Sequence, residues 1–193
     1  TEGWEIKTGK DVPPRPPWGW AGRGAQSELI VSIQNAELQS VASLSRVKKE
    51  VLFKSRDDFE GFLEKREKRL KEGRGESVTV QHAGLTWEGD IPVYRLEFTA
   101  PFSSRGPGGC GMAPGTGGAQ ARYILVEYYV HAAAEKDVRV YRIGSVMKKA
   151  NTESVRGDID RFIGSFSYTG EAADAFFVPE AEESKTPAVQ QDS

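Results

Sequence analysis

The strongest constraint on the fold is a series of strand-like segments between Val78 and Tyr168. In these segments apolar and polar residues alternate, or apolar and aromatic residues run together, as is typical of strands packed against a core. Turn residues such as Gly89-Asp90 separate neighbouring segments, and short turns of this kind join antiparallel strands. The predicted strands cover residues 78–82, 93–98, 123–130, 138–147 and 165–169. The order therefore predicts an antiparallel sheet.

Two helices are predicted beside these strands. Ser55 stands three residues before Asp58, a pattern like a capping box that begins a helix, and Gly73 ends this helix. Its apolar stripe consists of Phe59, Phe62, Leu63 and Leu70. A second helix is predicted over residues 152–163, with its apolar face formed by Val155, Ile159, Phe162 and Ile163. An antiparallel β-sheet flanked by two helices defines an α+β fold.

The segments before the first helix are less regular. Residues 29–34 alternate and predict one more strand, and the alternation of Trp4 and Ile6 with polar residues predicts a short edge strand. Residues 38–53 fit neither the helical nor the strand period. We expect a loop or a short helical piece there, followed by a strand near residues 47–53.

The composition along the chain predicts three parts. Residues 1–26 form an irregular arm, residues 27–170 form the α+β domain, and residues 171–193 form an acidic, extended tail. The arm contains a proline-rich stretch followed by Trp18 and Trp20, which either recognise a partner or cover an open side of the core. In the tail, Phe176 and Phe177 belong to a short apolar patch.

Charge and cysteine content exclude several classes of protein. The net charge of −2 lacks the basic excess of a nucleic-acid-binding protein. No apolar run approaches the roughly 20 residues that a membrane span needs. The single cysteine excludes an internal disulfide. A start at Thr1 favours a mature chain whose targeting peptide has been removed, or a sequence trimmed at its start.

The residue types that carry catalysis do not combine into a convincing active site. The glycine-rich segment 103–120 has Thr116-Gly117 after Gly115, where a phosphate-binding loop needs a lysine, and it joins two predicted strands. We expect it to be a flexible insertion that docks onto a partner. Cys110 lies in this segment, and its composition does not favour a fixed geometry with His82 or His131 as base. Two histidines are too few for a zinc site without carboxylates. We therefore predict a protein that is not an enzyme, with no catalytic residues.

The first helix also carries a basic face, formed by Lys65, Arg66, Lys68, Arg69 and Lys71. Such a run is ordinarily a solvated surface, and its functional interpretation is an electrostatic docking site for an acidic partner. The candidate docking residues of the whole chain are Lys65, Arg66, Lys68, Arg69, Trp18, Trp20, Phe176 and Phe177.

Five motifs in a fixed order carry a family resemblance. In chain order they are Gly3-Trp-Glu-Ile6, Ser55-Arg-Asp-Asp-Phe59, Gly89-Asp-Ile-Pro-Val-Tyr94, Val138 to Ile143, and Phe162-Ile-Gly-Ser-Phe166. The chain thereby resembles the PsbP family, whose fold is shared with Mog1, and in particular a divergent algal member. The resemblance covers about residues 1–170. It implies a Mog1/PsbP-like sheet with flanking helices.

The resemblance also implies a function. Members of this kind are water-soluble extrinsic subunits in the chloroplast thylakoid lumen, without a transmembrane span or a covalently bound cofactor of their own. They dock on photosystem core subunits or other extrinsic subunits, and photosystem II is favoured over photosystem I. They stabilise the supercomplex or help it to retain inorganic cofactors such as calcium or another ion. Three alternatives stay open: a Mog1-like protein that binds a small GTPase, an accessory subunit of another organellar membrane complex, and a thiol enzyme that uses Cys110.

Overall fold

The computed structural model describes residues 3–8, 27–48, 53–74, 78–101, 120–134, 138–172 and 177. Within them, seven strands form one antiparallel sheet and two helices flank it, so the predicted α+β class is confirmed. The elements are β1 Glu5–Thr8, β2 Ser27–Asn35, β3 Ser40–Lys48, α1 Arg56–Arg74, β4 Thr79–Glu88, β5 Ile91–Pro101, β6 Gln120–His131, β7 Val138–Lys148 and α2 Thr152–Gly164. A short 3₁₀ turn, Lys149–Asn151, precedes α2.

Strand β7 joins two groups of three strands. The order across the sheet is β1-β2-β3-β7-β6-β5-β4, so each group is a meander of sequential neighbours. β7 pairs with β3 on one side, from Ser40↔Met147 to Lys48↔Arg139, and with β6 on the other. The central strands are therefore β3, β7 and β6, and the edges are β1 and β4.

The two helices cover opposite faces of this sheet. On β6, Tyr123, Leu125 and Tyr129 belong to the core that includes Phe59 and Leu63 of α1. The alternate residues Ile124, Val126 and Tyr128 belong to the core that includes Val155, Ile159 and Ile163 of α2. Because strand side chains alternate between faces, β6 is buried on both sides.

The start of α1 follows the predicted capping pattern. The Asp58 backbone N–H donates to Ser55 Oγ at 3.2 Å, which satisfies one of the free donors of the first turn. The Asp58 carboxylate accepts from the Lys54 backbone N–H at 3.4 Å. Phe59, one residue further on, is fully buried with its ring 5.0 Å from that of Tyr129. The capping hydrogen bond and the first core contact therefore both stabilise the first turn of α1.

Helix α2 is tied to the β1–β3 side of the sheet by two polar contacts. Trp4 Nε1 donates to Asp158 Oδ2 at 2.8 Å, just before the edge strand β1. Asn151 Nδ2 donates to the Leu38 carbonyl at 2.8 Å, in the turn between β2 and β3. The strand β1 therefore belongs to the sheet, although the predicted domain boundary placed it in the arm.

Two predicted elements are wrong. Residues 40–48 form the central strand β3 instead of a loop or helical piece. Neighbours flank β3 on both sides and Ser40 and Ser43 are buried, so the strand lacks a readable alternation. Residues 165–169 form no strand. The Phe166 ring lies 4.6 Å from that of Tyr128, which holds this segment over a face of the sheet and away from its edges.

Several predicted segments lie outside the described residues. They are residues 9–26 of the arm, 102–119 of the glycine-rich segment, and 173–176 and 178–193 of the tail. Ala172 forms an isolated bridge with Ala132, and it connects the start of the predicted tail to the end of β6.

We predict that Ser55→Ala lowers the free energy of unfolding by about 1 kcal/mol, because the Asp58 N–H loses its acceptor. Urea denaturation followed by circular dichroism measures this change. Ser154→Ala is the matched control, since Ser154 is an exposed residue near the start of α2 without a capping bond among the described residues. Equal stability of the Ser55 variant and the wild type would contradict the cap.

Candidate docking surface

Helix α1 sorts its residues into a buried stripe and an exposed stripe. Phe59 and Leu63 are buried and Phe62 is half-buried, and they pack onto the sheet. Lys65, Lys68, Arg69 and Glu72 are exposed. Their spacing of three and four residues places them together on the outer face of the helix. This outer face, with Lys65, Lys68 and Arg69 as its cations, is the candidate docking surface.

Arg66 belongs to the buried stripe and not to the docking surface. It follows Phe59 by seven residues and Leu63 by three, so helical geometry turns it toward the sheet. Its guanidinium forms an ion pair with Glu127 on β6 and donates from Nη1 to the Tyr129 hydroxyl at 3.3 Å. The structure thus places Arg66, a predicted docking residue, in an ion pair with β6, with 24% of its side chain exposed.

Glu127 is a fully buried carboxylate with partners from three elements. Arg142 Nε of β7 donates to Oε1 at 2.5 Å, and the Tyr129 hydroxyl donates to Oε2 at 2.6 Å. Arg66 completes the network from α1. We call Glu127, Arg66, Arg142 and Tyr129 the α1-side network. It satisfies a charge that would be very costly to bury without partners.

Burial dominates the acid–base properties on this side of the sheet. It lowers the pKa of Arg66 and of Arg142, and it raises the pKa of Tyr129. The pKa of Tyr94 rises to about 12, first through burial and then through the charge of Glu67, to which its hydroxyl donates at 3.4 Å. Both tyrosines therefore stay protonated at neutral pH and act as donors.

A second network lies on the face covered by α2. Glu97 of β5 accepts from Arg95 Nε at 3.0 Å, from Arg156 Nη1 and Nη2 at 3.0 and 2.8 Å, and from Arg122 Nη2 at 3.1 Å. Asp160 of α2 accepts from Arg156 Nε at 2.7 Å and from Arg95 Nη2 at 3.3 Å. We call these residues the α2-side network. Each helix is thus linked by an arginine to a glutamate of the sheet.

The exposed cations of α1 differ in how they are paired. Lys68 lies 3.7 Å from Glu72, and Lys71 lies 2.7 Å from Glu67. Among the residues that the structure describes, Lys65 and Arg69 have no ion-pair partner. The first turn of α1 carries Asp57 and Asp58. Acidic residues at the start and basic residues near the end also complement the helix dipole, so part of this charge pattern stabilises the helix itself.

The aromatic docking candidates have different positions. Trp18, Trp20 and Phe176 lie outside the described residues. Phe177 is half-buried, with its ring 6.4 Å from Phe59 and 6.1 Å from Trp87. This ring therefore fills a place between α1 and β4 within the same chain.

The described residues do not fit a cation site. Residues 3–8, 27–48, 53–74, 78–101, 120–134 and 138–172 contain no group of three or more His, Asp or Glu placed to hold a metal ion. The buried carboxylates of Glu97 and Glu127 face arginines, whose charge opposes a bound cation. His82 on β4 and His131 on β6 are separated by β5, and Cys110 lies outside the described part of the chain.

Comparisons with known proteins add no family. No family model matches the chain, and no curated protein matches it. Neither described helix is long and apolar enough to cross a membrane.

Sequence reasoning missed both charged networks, although their members break visible patterns. Glu127 is the only charged residue between Tyr123 and Val130 in a strand of aromatic and aliphatic residues. Arg66 falls in register with the apolar stripe of α1. A lone charge in an apolar pattern indicates a buried ion pair, but the partner lies far away in the sequence.

We predict that Glu127→Gln destabilises the fold by about 3–5 kcal/mol, because Arg142 and Arg66 then remain buried without a counter-charge. Urea denaturation gives the free energy of unfolding. The control Glu64→Gln changes an exposed glutamate of α1 and should stay within about 0.5 kcal/mol of the wild type. A Glu127 variant as stable as this control would show that the network does not stabilise the fold.

We predict a pH-dependent contribution from Glu97. Burial alone would raise its pKa, but hydrogen bonds from Arg156 and Arg95 and the charges of both outweigh burial and lower the pKa from 4.5 to about 2. The ionised carboxylate therefore stabilises the folded state above about pH 4.5, and this contribution disappears as the pH falls toward 2.

The test compares urea denaturation of the wild type and Glu97→Gln across this range of pH. The difference in free energy of unfolding should be largest near neutral pH and should shrink below about pH 4.5. A difference that stays constant down to the lowest pH at which both proteins fold would contradict the lowered pKa.

Proposed function

We propose that the chain is an extrinsic, non-catalytic subunit of a photosystem supercomplex in the thylakoid lumen, photosystem II in the first place. In this proposal it docks through the outer face of α1 onto an acidic surface of core or other extrinsic subunits. Its role there is to stabilise the complex and the retention of its inorganic cofactors.

The proposed docking is based mainly on the exposed cations Lys65 and Arg69. They stand one helical turn apart on the exposed face, and no described residue neutralises either of them. Lys68 adds a third exposed cation between them. Exposed and unpaired cations raise the association rate with an acidic partner and orient the encounter.

The order of elements supports the photosystem part. In the structure, the motifs that carry the resemblance lie at the start of β1, at the cap of α1, at the turn into β5, in β7 and at the end of α2. The last of them ends in an extended segment that packs on the sheet, where the resemblance predicted a strand.

The use of the buried polar groups supports a binding role. Both carboxylate oxygens of Glu127 and of Glu97 accept hydrogen bonds: those of Glu127 from Arg142 and Tyr129, and those of Glu97 from arginines. A general base needs a free lone pair and a pKa near the working pH, and the lowered pKa of Glu97 is far from that value. These carboxylates hold helices to the sheet.

The first experiment locates the native protein. Thylakoids from the source cells are washed with stepwise increasing salt up to about 1 M, where the screening length falls to about 3 Å. Co-fractionation of the protein with markers of photosystem II before release, followed by its release from the lumenal face by salt, supports the proposal. Its absence from thylakoids would refute the photosystem part, and recovery with a small GTPase or another organellar complex would replace it.

We predict that Lys65→Glu/Arg69→Glu weakens rebinding to salt-washed membranes about tenfold at low salt, since the attraction to an acidic surface becomes repulsion. The difference from the wild type should disappear near 1 M salt. Sedimentation of the membranes with bound protein measures the affinity.

The matched control is Lys148→Glu/Lys149→Glu, which changes the net charge equally but lies at the end of β7 and in the 3₁₀ turn before α2. Its rebinding should stay near that of the wild type. If both double variants lose affinity equally, net charge and not the α1 surface controls binding. Circular dichroism and thermal unfolding verify that each variant is folded.

A further inference from the structure

The α2-side network has an open, positively charged outer side. Glu97 is nearly buried, with 7% of its side chain exposed, whereas Arg95, Arg122 and Arg156 expose 33%, 32% and 28% of theirs. The arginines therefore extend from a carboxylate beneath them to the surface. In the α1-side network Glu127 is completely buried, and Arg142 and Arg66 expose 15% and 24% of their side chains.

The charges of the α2-side network do not balance. Three guanidinium groups surround the two carboxylates of Glu97 and Asp160, which leaves one positive charge. Glu97 already accepts five hydrogen bonds from these arginines, so it has little capacity to neutralise more of their charge. The surplus is available to a ligand.

Arg122 supplies donors that the network does not use. Only its Nη2 donates to Glu97 among the described residues, and its Nε is buried without a hydrogen-bond partner. Because Nε is buried, the donor left for a ligand is Nη1, which makes no hydrogen bond to a described residue. An oxyanion, with two oxygens side by side, fits the two adjacent N–H groups of a guanidinium.

The neighbouring edge strand β4 borders this surface with a glycine and a histidine. The register places Gly84 opposite Arg95, and the imidazole of His82 occupies the space beside Gly84. His82, opposite Glu97 in the same register, places its imidazole beside Gly84: a Cβ there would be 3.2 Å from Nε2. His82 is exposed and adds another donor at the rim.

We propose that Arg122, Arg95 and Arg156 form a binding site for an oxyanion, the carboxylate or phosphate group of a small ligand. The site lies on the α2 face of the sheet, opposite the α1 docking surface, and does not depend on the proposed docking. Arg122 binds the anion directly through its unused N–H groups, and Arg95 and Arg156 supply the surrounding charge. Asp160 at the rim opposes the anion and limits its affinity.

The test measures the binding of inorganic phosphate, of acetate and of vesicles with an anionic phospholipid to the full chain. Isothermal titration and thermal unfolding at constant ionic strength, with chloride as reference, report the free anions, and co-sedimentation reports the vesicles. Arg122→Gln should weaken binding about tenfold, as expected for the loss of a charged hydrogen bond. Asp160→Asn should strengthen it, because it removes a competing negative charge.

Opposite effects of these two variants cannot both result from a damaged fold. Arg161→Gln is the control: Arg161 is an exposed arginine of α2 that pairs with Asp158 outside the network, and its replacement should leave binding unchanged. Binding of free phosphate or acetate with this pattern supports a small soluble ligand, and binding of vesicles alone with this pattern assigns the anion to a lipid headgroup. The proposal would be overturned if phosphate and acetate had the same effect as chloride and no vesicles bound. It would also be overturned if Arg161→Gln lost as much binding affinity as Arg122→Gln.

Discussion

The contact between Arg66 and Glu127 determines how α1 sits on the sheet. Strand β6 is buried on both faces, so a carboxylate at Glu127 has no route to water. A buried charge of this kind persists only with counter-charges and hydrogen bonds, which Arg142 and Arg66 supply. Because Arg66 shares a stripe with Phe59 and Leu63, this pairing and the apolar packing specify the same rotation of the helix. The outward direction of Lys65 and Arg69 follows from it.

Both helices are attached to the sheet by an apolar face and an arginine–glutamate contact, but the two contacts differ in their burial. Each has an apolar seam and an arginine that reaches a sheet glutamate: Arg66 to Glu127 under α1 and Arg156 to Glu97 under α2. Apolar seams alone tolerate sliding by a turn, whereas a buried ion pair is satisfied in one register only. Under α1 two arginines share one carboxylate that is completely buried. Under α2 three arginines reach the surface, and the contact that attaches the helix belongs to the proposed anion site.

The strands that the sequence predicts correctly are marked by apolar and aromatic residues, even where neighbours flank them on both sides. Strand β5 alternates because Tyr94, Leu96 and Phe98 face the core beneath α1, and α1 begins where Ser55 can cap it. The sequence did not reveal β3, because its buried Ser40 and Ser43 interrupt the apolar pattern that a central strand would otherwise show. For the candidate sites, the basic character of α1 is visible in the sequence. The networks are not, since their partners come from strands and helices that only the folded topology brings together.

Stability and binding can change separately on one helix, although their residues alternate along it. Lys65 and Arg66 are adjacent in sequence but lie on different sides of α1, one exposed and one paired in the core. A basic run interpreted as one surface merges these two positions, and removing all of its charges together would change the ion pair with Glu127 and the proposed docking surface at once. Only substitutions confined to the exposed positions separate the two effects. The buried arginine is therefore the reason that charge along α1 must be interpreted residue by residue and not as a patch.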